Sequence, residues 1–157
     1  MARSVLCAAA LCALVAVRPP QAQTLSAADR DSIELAVARV EKAKLPDGMH
    51  VMLEPHVRAG YDRWGEMRSA DQIARLRAAL GNVRLGKLGC IVDPNGGCDR
   101  LVDNEIGIAF QAPTLEKDQV TITVEQYASH GLGSATYLVS RSGKAWKVEK
   151  LLRGSAS

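Results

Sequence analysis

In the stretch "QVTITVEQYASHGLGSATYLVSRSGKAWKVEKLL", residues 119–152, apolar and polar residues alternate, and the alternating runs are separated only by "SHGLG" and "SGK". A period of two is the pattern of a strand buried on one face. Breaks this short force successive strands to run antiparallel. With "NEIGIAFQA" (104–112) ahead of the connection "PTLEKD", the pattern predicts a meander of four strands over the C-terminal half. Val120, Ile122 and Val124, then Tyr137 and Val139, then Trp146 and Val148 fall on one face, with Leu138 taking the inward place if the register slips by one. Thr121, Thr123, Glu125, Lys147 and Glu149 fall on the other, which is expected to be solvated or shared with a partner.

Working towards the N-terminus, the period changes to that of helices. In "LSAADRDSIELAVARVEKAKLPDG", Ser26 is placed as an N-cap, Ile33, Ala36, Val37 and Val40 share a face, and "LPDG" is a stop. This predicts a helix over 27–44, with Lys42 and Lys44 at its negative end. A second helix over 70–80 follows from "SADQIARLRAALGN": Ser69 and Gln72 form a capping box, Ile73, Leu76 and Leu80 share a face, and Gly81 ends it. Between the helices, "MHVMLEPHV" (49–57) alternates like a strand that Pro55 ends or confines to a sheet edge. "RAGYDRWGEMR" (58–68) has no period and is expected to be a loop held down by Tyr61 and Trp64, while "VRLGKLGCIV" (83–92) reads as a short irregular strand. The expected architecture is therefore α+β, with two helices from the N-terminal half laid on one face of a C-terminal antiparallel meander.

Residues 1–23 read as a secretory signal peptide: Arg3 precedes an uncharged run from Val5 to Val17, and Ala22 offers a small residue for cleavage. That run is too short to span a membrane, which takes about 20 apolar residues. Residues 24–157 are expected to form a single domain in the periplasm or outside the cell, with no transmembrane segment. Arg3 and Arg18 are two of the 20 basic residues and no acid lies in the leader, so 18 bases face 17 acids in the rest. A nearly neutral domain with no basic run gives no reason to expect nucleic acid as a partner.

Cys7 and Cys12 lie in the leader, which leaves Cys90 and Cys98 at the ends of the turn-rich loop "GCIVDPNGGCDR" (89–100). In an oxidising compartment a disulfide is the simplest reading of such a pair, with free thiols, a metal site or redox chemistry as the alternatives. Closing a loop of this size contributes roughly 2.5 kcal/mol. The same loop gathers Asp93, Asn95, Asp99, Asp103, Asn104 and Glu105, hard ligands suited to calcium, but an EF-hand pattern laid from Asp93 meets Gly97 and Cys98 where a ligand and a glycine belong. Neither a metal nor any other cofactor is expected. His50 and His56 would stand about 20 Å apart on an extended strand, too far to share zinc. "GLGS" (131–134) is a hairpin turn, not a phosphate loop, because it lacks a lysine and precedes a strand. Asp62 with Glu66, and Glu125 beside Tyr127, are acid pairs for which a solvated surface role is expected.

"YLVSRSGKAWKVEKLLRG" (137–154) resembles the closing hairpin of the nuclear-transport-factor-like and SnoaL-like cone-shaped α+β domains, and the chain as a whole looks like small secreted bacterial proteins. The first resemblance implies a curved sheet that can enclose a pocket, though no active-site residue of that family maps onto this chain. Tyr127, Tyr137 and Trp146, with His130 in the turn beside them, are the candidate ligand-binding residues, set against ordinary core packing. No catalytic constellation stands out. The expectation is an exported, non-enzymatic module that binds a protein or small-molecule partner; a small acid/base enzyme with a pocket lined by the sheet aromatics is the alternative.

Overall fold

The computed structural model describes residues 24–60, 63–88, 99–116, 119–128 and 131–156. Helix α1 (Ala27–Lys44) leads to strands β1 (His50–Leu53), β2 (His56–Arg58) and β3 (Trp64–Met67), then helix α2 (Ala70–Leu80) and β4 (Val83–Leu85). Strands β5 (Glu105–Phe110), β6 (Thr114–Glu116), β7 (Gln119–Ala128), β8 (Gly131–Ser142) and β9 (Ala145–Ala156) follow. Both helices begin where their caps place them. The Ser26 hydroxyl accepts from Asp29 N, and Ser69 and Gln72 satisfy each other's backbone N–H groups reciprocally.

The sheet runs β4-β1-β5-β7-β8-β9, with β6 on the same side of β7 as β5. Strands β5 and β7 to β9 form the antiparallel meander, and Gly143, at a φ of +63°, makes the tight turn between β8 and β9. The register pairs Val120 with Val139, Ile122 with Tyr137 and Val139 with Val148, as the alternation requires. These side chains form one core with Ile33 and Val37 of α1 and Leu76 and Leu80 of α2. The molecule is thus α+β, with its helices in the N-terminal half and a mostly antiparallel sheet.

Three expectations need correction. Strand β1 is not at an edge: it lies between β4 and β5, parallel to both, because α2 carries the chain back across the sheet to β4. Pro55 only ends it, and no ladder hydrogen bond is then lost. The stretch 58–68 is not simply a loop, since Trp64–Met67 pairs antiparallel with β2 in a two-stranded ribbon. Trp64 does not pack that stretch down; it is 42% exposed, while Tyr61 lies outside the described residues. The sheet face away from the helices is not solvated throughout either. Met52, Leu88 and Ala109 form a second small core there, and Glu54 and Glu125 are buried on the same face.

Candidate functional site

The aromatic residues singled out in the sequence do not share a pocket. Tyr137 points into the main core, where its hydroxyl donates to Glu41 and meets the Lys44 ammonium. Burial, with the Glu41 carboxylate beside it, pushes the phenol pKa up, so Tyr137 is not an activated base. Tyr127, on the face of β7 opposite Val120, Ile122 and Val124, packs on the second core. Trp146 lies near the N-terminus of α1 and donates to Asp29 at 3.0 Å, along a cleft of about 530 Å³ that holds neither tyrosine. His130, Cys90, Cys98, Asp93, Asn95 and Asp62 lie outside the described residues. Of the remaining calcium candidates, Asp99 and Asp103 are exposed, and Asp99 accepts from Lys87 N. Glu105 is turned towards Arg84, whose Nε and Nη2 reach it at 2.5 and 2.7 Å. No group of three metal-ligating side chains occurs among the described residues. His50 contacts Asn82 and His56 contacts Glu54, so the two histidines serve different neighbours.

What the structure does bring together is a buried ionic group on the face away from the helices. Its centre is Arg58, whose side chain has no exposed surface. Arg58 Nη2 donates to the carbonyl of Leu88 and lies 3.7 Å from Glu54 Oε2; its Nε lies 3.9 Å from Glu125 Oε2. Both carboxylates are otherwise well served. Glu54 accepts from Leu88 N at 2.8 Å and meets His56 Nδ1 at 2.9 Å, and Glu125 accepts from Gln111 Nε2 at 2.8 Å and from the Tyr127 hydroxyl at 2.7 Å. Arg58 is not: among the described residues neither Nε nor Nη1 has a hydrogen-bond partner. The rings of Trp64 and Tyr127 each stand 5.9 Å from its guanidinium carbon, which suits a cation but fills no N–H.

Local structure explains the arrangement. Strand β1 puts Val51 and Leu53 into the main core and therefore Met52 on the opposite face, with Glu54 following in the same alternation. After the break at Pro55, β2 resumes alongside the end of β5, and Arg58 bridges to Gln111. That pairing sets the guanidinium above Glu125. Gly107 leaves the space for Leu88, since a Cβ there would come within 2.6 Å of the leucine side chain. The backbone of Leu88 thereby reaches both Glu54 and Arg58.

A second buried arginine, Arg68, follows β3 and is fully engaged. Its Nε and Nη2 grip Glu34 of α1 at 2.9 and 3.3 Å, and Nη1 donates to the carbonyls of Glu54 and His56 at 3.1 and 2.5 Å. A contact of 3.5 Å to the Phe110 carbonyl completes the set. Arg68 clamps α1 to the corner where β1 becomes β2.

Of the Arg58 group, Glu125 lines a cleft of about 200 Å³ with Gln111, Thr123, Leu132, Ser134 and Ser155, whereas Arg58 itself borders a different cleft of about 350 Å³. Its side chains carry hydroxyl, amide and carboxylate groups beside the apolar Leu132. The sequence reading had Glu125 and Tyr127 as a surface pair and did not single out Glu54 or Arg58. The available signal was Glu54, His56 and Arg58 at alternate positions straight after the apolar run Val51, Met52 and Leu53. No family model, curated protein or solved structure matches this chain.

Proposed function

We propose that this chain is an exported, non-enzymatic binding domain, stapled by a Cys90–Cys98 disulfide, that takes a small polar ligand on the sheet face away from the helices. The observation that carries the reading is Arg58, buried with two unfilled nitrogens between two carboxylates that are themselves hydrogen-bonded. An unfilled buried donor costs about 1–3 kcal/mol, more when it is charged, so an acceptor oxygen reaching it gains correspondingly. Glu54 and Glu125 already balance the guanidinium charge. A carbonyl or hydroxyl oxygen therefore suits the site better than a free anion, which would meet both carboxylates. The leader at 1–23 supports export, and export supports the disulfide.

Mass spectrometry from non-denaturing buffer, on protein recovered from an exporting host without reductant, tests the reading. The wild-type chain should carry a small-molecule adduct that Arg58→Gln loses while keeping its circular dichroism. A bare wild-type chain that also shows no thermal shift with a panel of amides and polyols would remove the proposal.

A second reading, acid/base catalysis, has one observation in its favour: each buried carboxylate holds a protonatable partner, Glu54 with His56 and Glu125 with Tyr127. It requires turnover with a bell-shaped pH profile that His56→Gln or Tyr127→Phe abolishes. Turnover that survives both substitutions would eliminate it.

A further inference from the structure

On the other side of the β2–β3 ribbon, the start of α1 and the residues after β5 enclose a cleft of about 350 Å³, within the size range of small-molecule sites of about 300–1,000 Å³. We infer that this cleft binds a primary amine carrying a short apolar chain, with Asp31 receiving the ammonium group. Arg58 also borders this cleft, but the inference rests on Asp31 and not on the ligand proposed at Arg58.

Asp31 carries it. Its Oδ2 is taken by Arg75, but its Oδ1 is buried and has no hydrogen-bond partner among the described residues. Among the other polar groups of the lining, Glu34 and Arg68 grip each other and the Gln72 amide oxygen closes the cap of α2, while the buried Arg58 offers only donors and cannot complete a ligand's N–H. A carboxylate oxygen shielded from water is best completed by a charged N–H donor, because charge-assisted hydrogen bonds are about twice as strong as neutral ones. The rest of the wall fits a hydrocarbon chain. Val57, Ala59, Ala112 and Pro113 line it, and Met67, which is 66% exposed, would be covered by the ligand. Arg30, Arg58 and Arg68 line the cleft as well as Asp31, Glu34 and Glu66, so it is the unfilled Asp31 oxygen and not net charge that favours an N–H donor over an anion. Arg30 and Glu66 offset one another at the rim, so neither repels the amine decisively.

The test is titration of the isotopically labelled full chain, leader removed, with n-butylammonium chloride, followed by amide chemical shifts. Saturable shifts should be confined to Asp31, Val57, Ala59, Met67 and their neighbours, and Asp31→Asn should weaken binding by about tenfold. Sodium butyrate and 1-butanol should bind at least about tenfold more weakly than the amine. Met67→Lys, on the exposed wall, should also weaken the amine without touching Asp31, which keeps the test open if Asp31→Asn disturbs its pairing with Arg75. An absence of saturable shifts, equal binding by Asp31→Asn and wild type, or equal binding of butyrate would each overturn the inference.

Discussion

Arg58 and Arg68 sit at the two ends of the same small ribbon, and both are buried, yet they are built into the molecule in opposite ways. Arg68 spends its fork on Glu34 and its remaining donors on backbone carbonyls, so each of its nitrogens has a protein partner. Among the described residues the Arg58 guanidinium makes a single hydrogen bond, to Leu88, and stands off its two carboxylates by 3.7 and 3.9 Å. A buried arginine is held by its geometry as much as by its charge. One with every donor filled is a fastener. One with donors left over is the feature on which the proposed ligand site rests.

The sharpest way to break this contrast is to remove each arginine. Arg68→Met strands the Glu34 carboxylate in the interior and leaves the carbonyls of Glu54 and His56 without their donor, so unfolding in urea should show a loss of about 3–5 kcal/mol. Arg68→Lys should recover little of it, because an ammonium cannot reproduce the planar fork. Arg58→Met should cost less, about 1–3 kcal/mol, since Glu54 and Glu125 keep their other hydrogen-bond donors. If the two losses were equal, Arg58 would also be a fastener and the contrast would fail.

Acid titration separates the Arg68 clamp from its surroundings. Burial pushes the Glu34 carboxyl above its ordinary value of 4.5, against the pull of Arg68. The folded chain then holds that proton more tightly than the unfolded chain. Its contribution to stability is full below 4.5 and is lost as pH rises through the higher folded value. Glu105 behaves the other way. Burial pushes its carboxyl up, but hydrogen bonds from Arg84 and the Val102 N–H outweigh this and hold it below 4.5. Its contribution is present above 4.5 and disappears as pH falls through the lower folded value. Urea midpoints measured against pH should therefore show the difference between wild type and Glu34→Gln shrinking as pH rises above 4.5, and that for Glu105→Gln shrinking as pH falls below it. Parallel curves would contradict both assignments.

The smallest effect belongs to Trp64, which covers Arg58 from the solvent side. Trp64→Ala should change unfolding free energy by no more than about 0.5 kcal/mol, as a substitution of a half-exposed side chain does. The same change should weaken any ligand held at Arg58. A large loss of stability would make Trp64 part of the fold's core instead.

Much of the fold was legible because its signals are local. Ser69 and Gln72 mark the start of α2, and Val120, Ile122 and Val124 declare which side of β7 is buried. The candidate site was not legible. Glu125 looks like any outward residue of an alternating strand, and nothing within its own strand indicates that the β2–β3 ribbon and Leu88 will cover that face. Glu34 and Glu41 are buried on α1 for the same reason: their partners, Arg68, Gln126 and Tyr137, come from distant parts of the chain.

The sequence by itself determined where the two helices begin and end, which side of the meander is apolar, and that the helices must cover it, since each follows from propensity, capping and period within a few residues. Only the tertiary structure decided that β1 runs parallel in the middle of the sheet, that the second face is partly buried, and that a buried ionic group around Arg58 gathers there while the candidate aromatics are spread apart. Burial and the pairing of a charge depend on groups brought together from far along the chain. No pattern read along a single segment contains them.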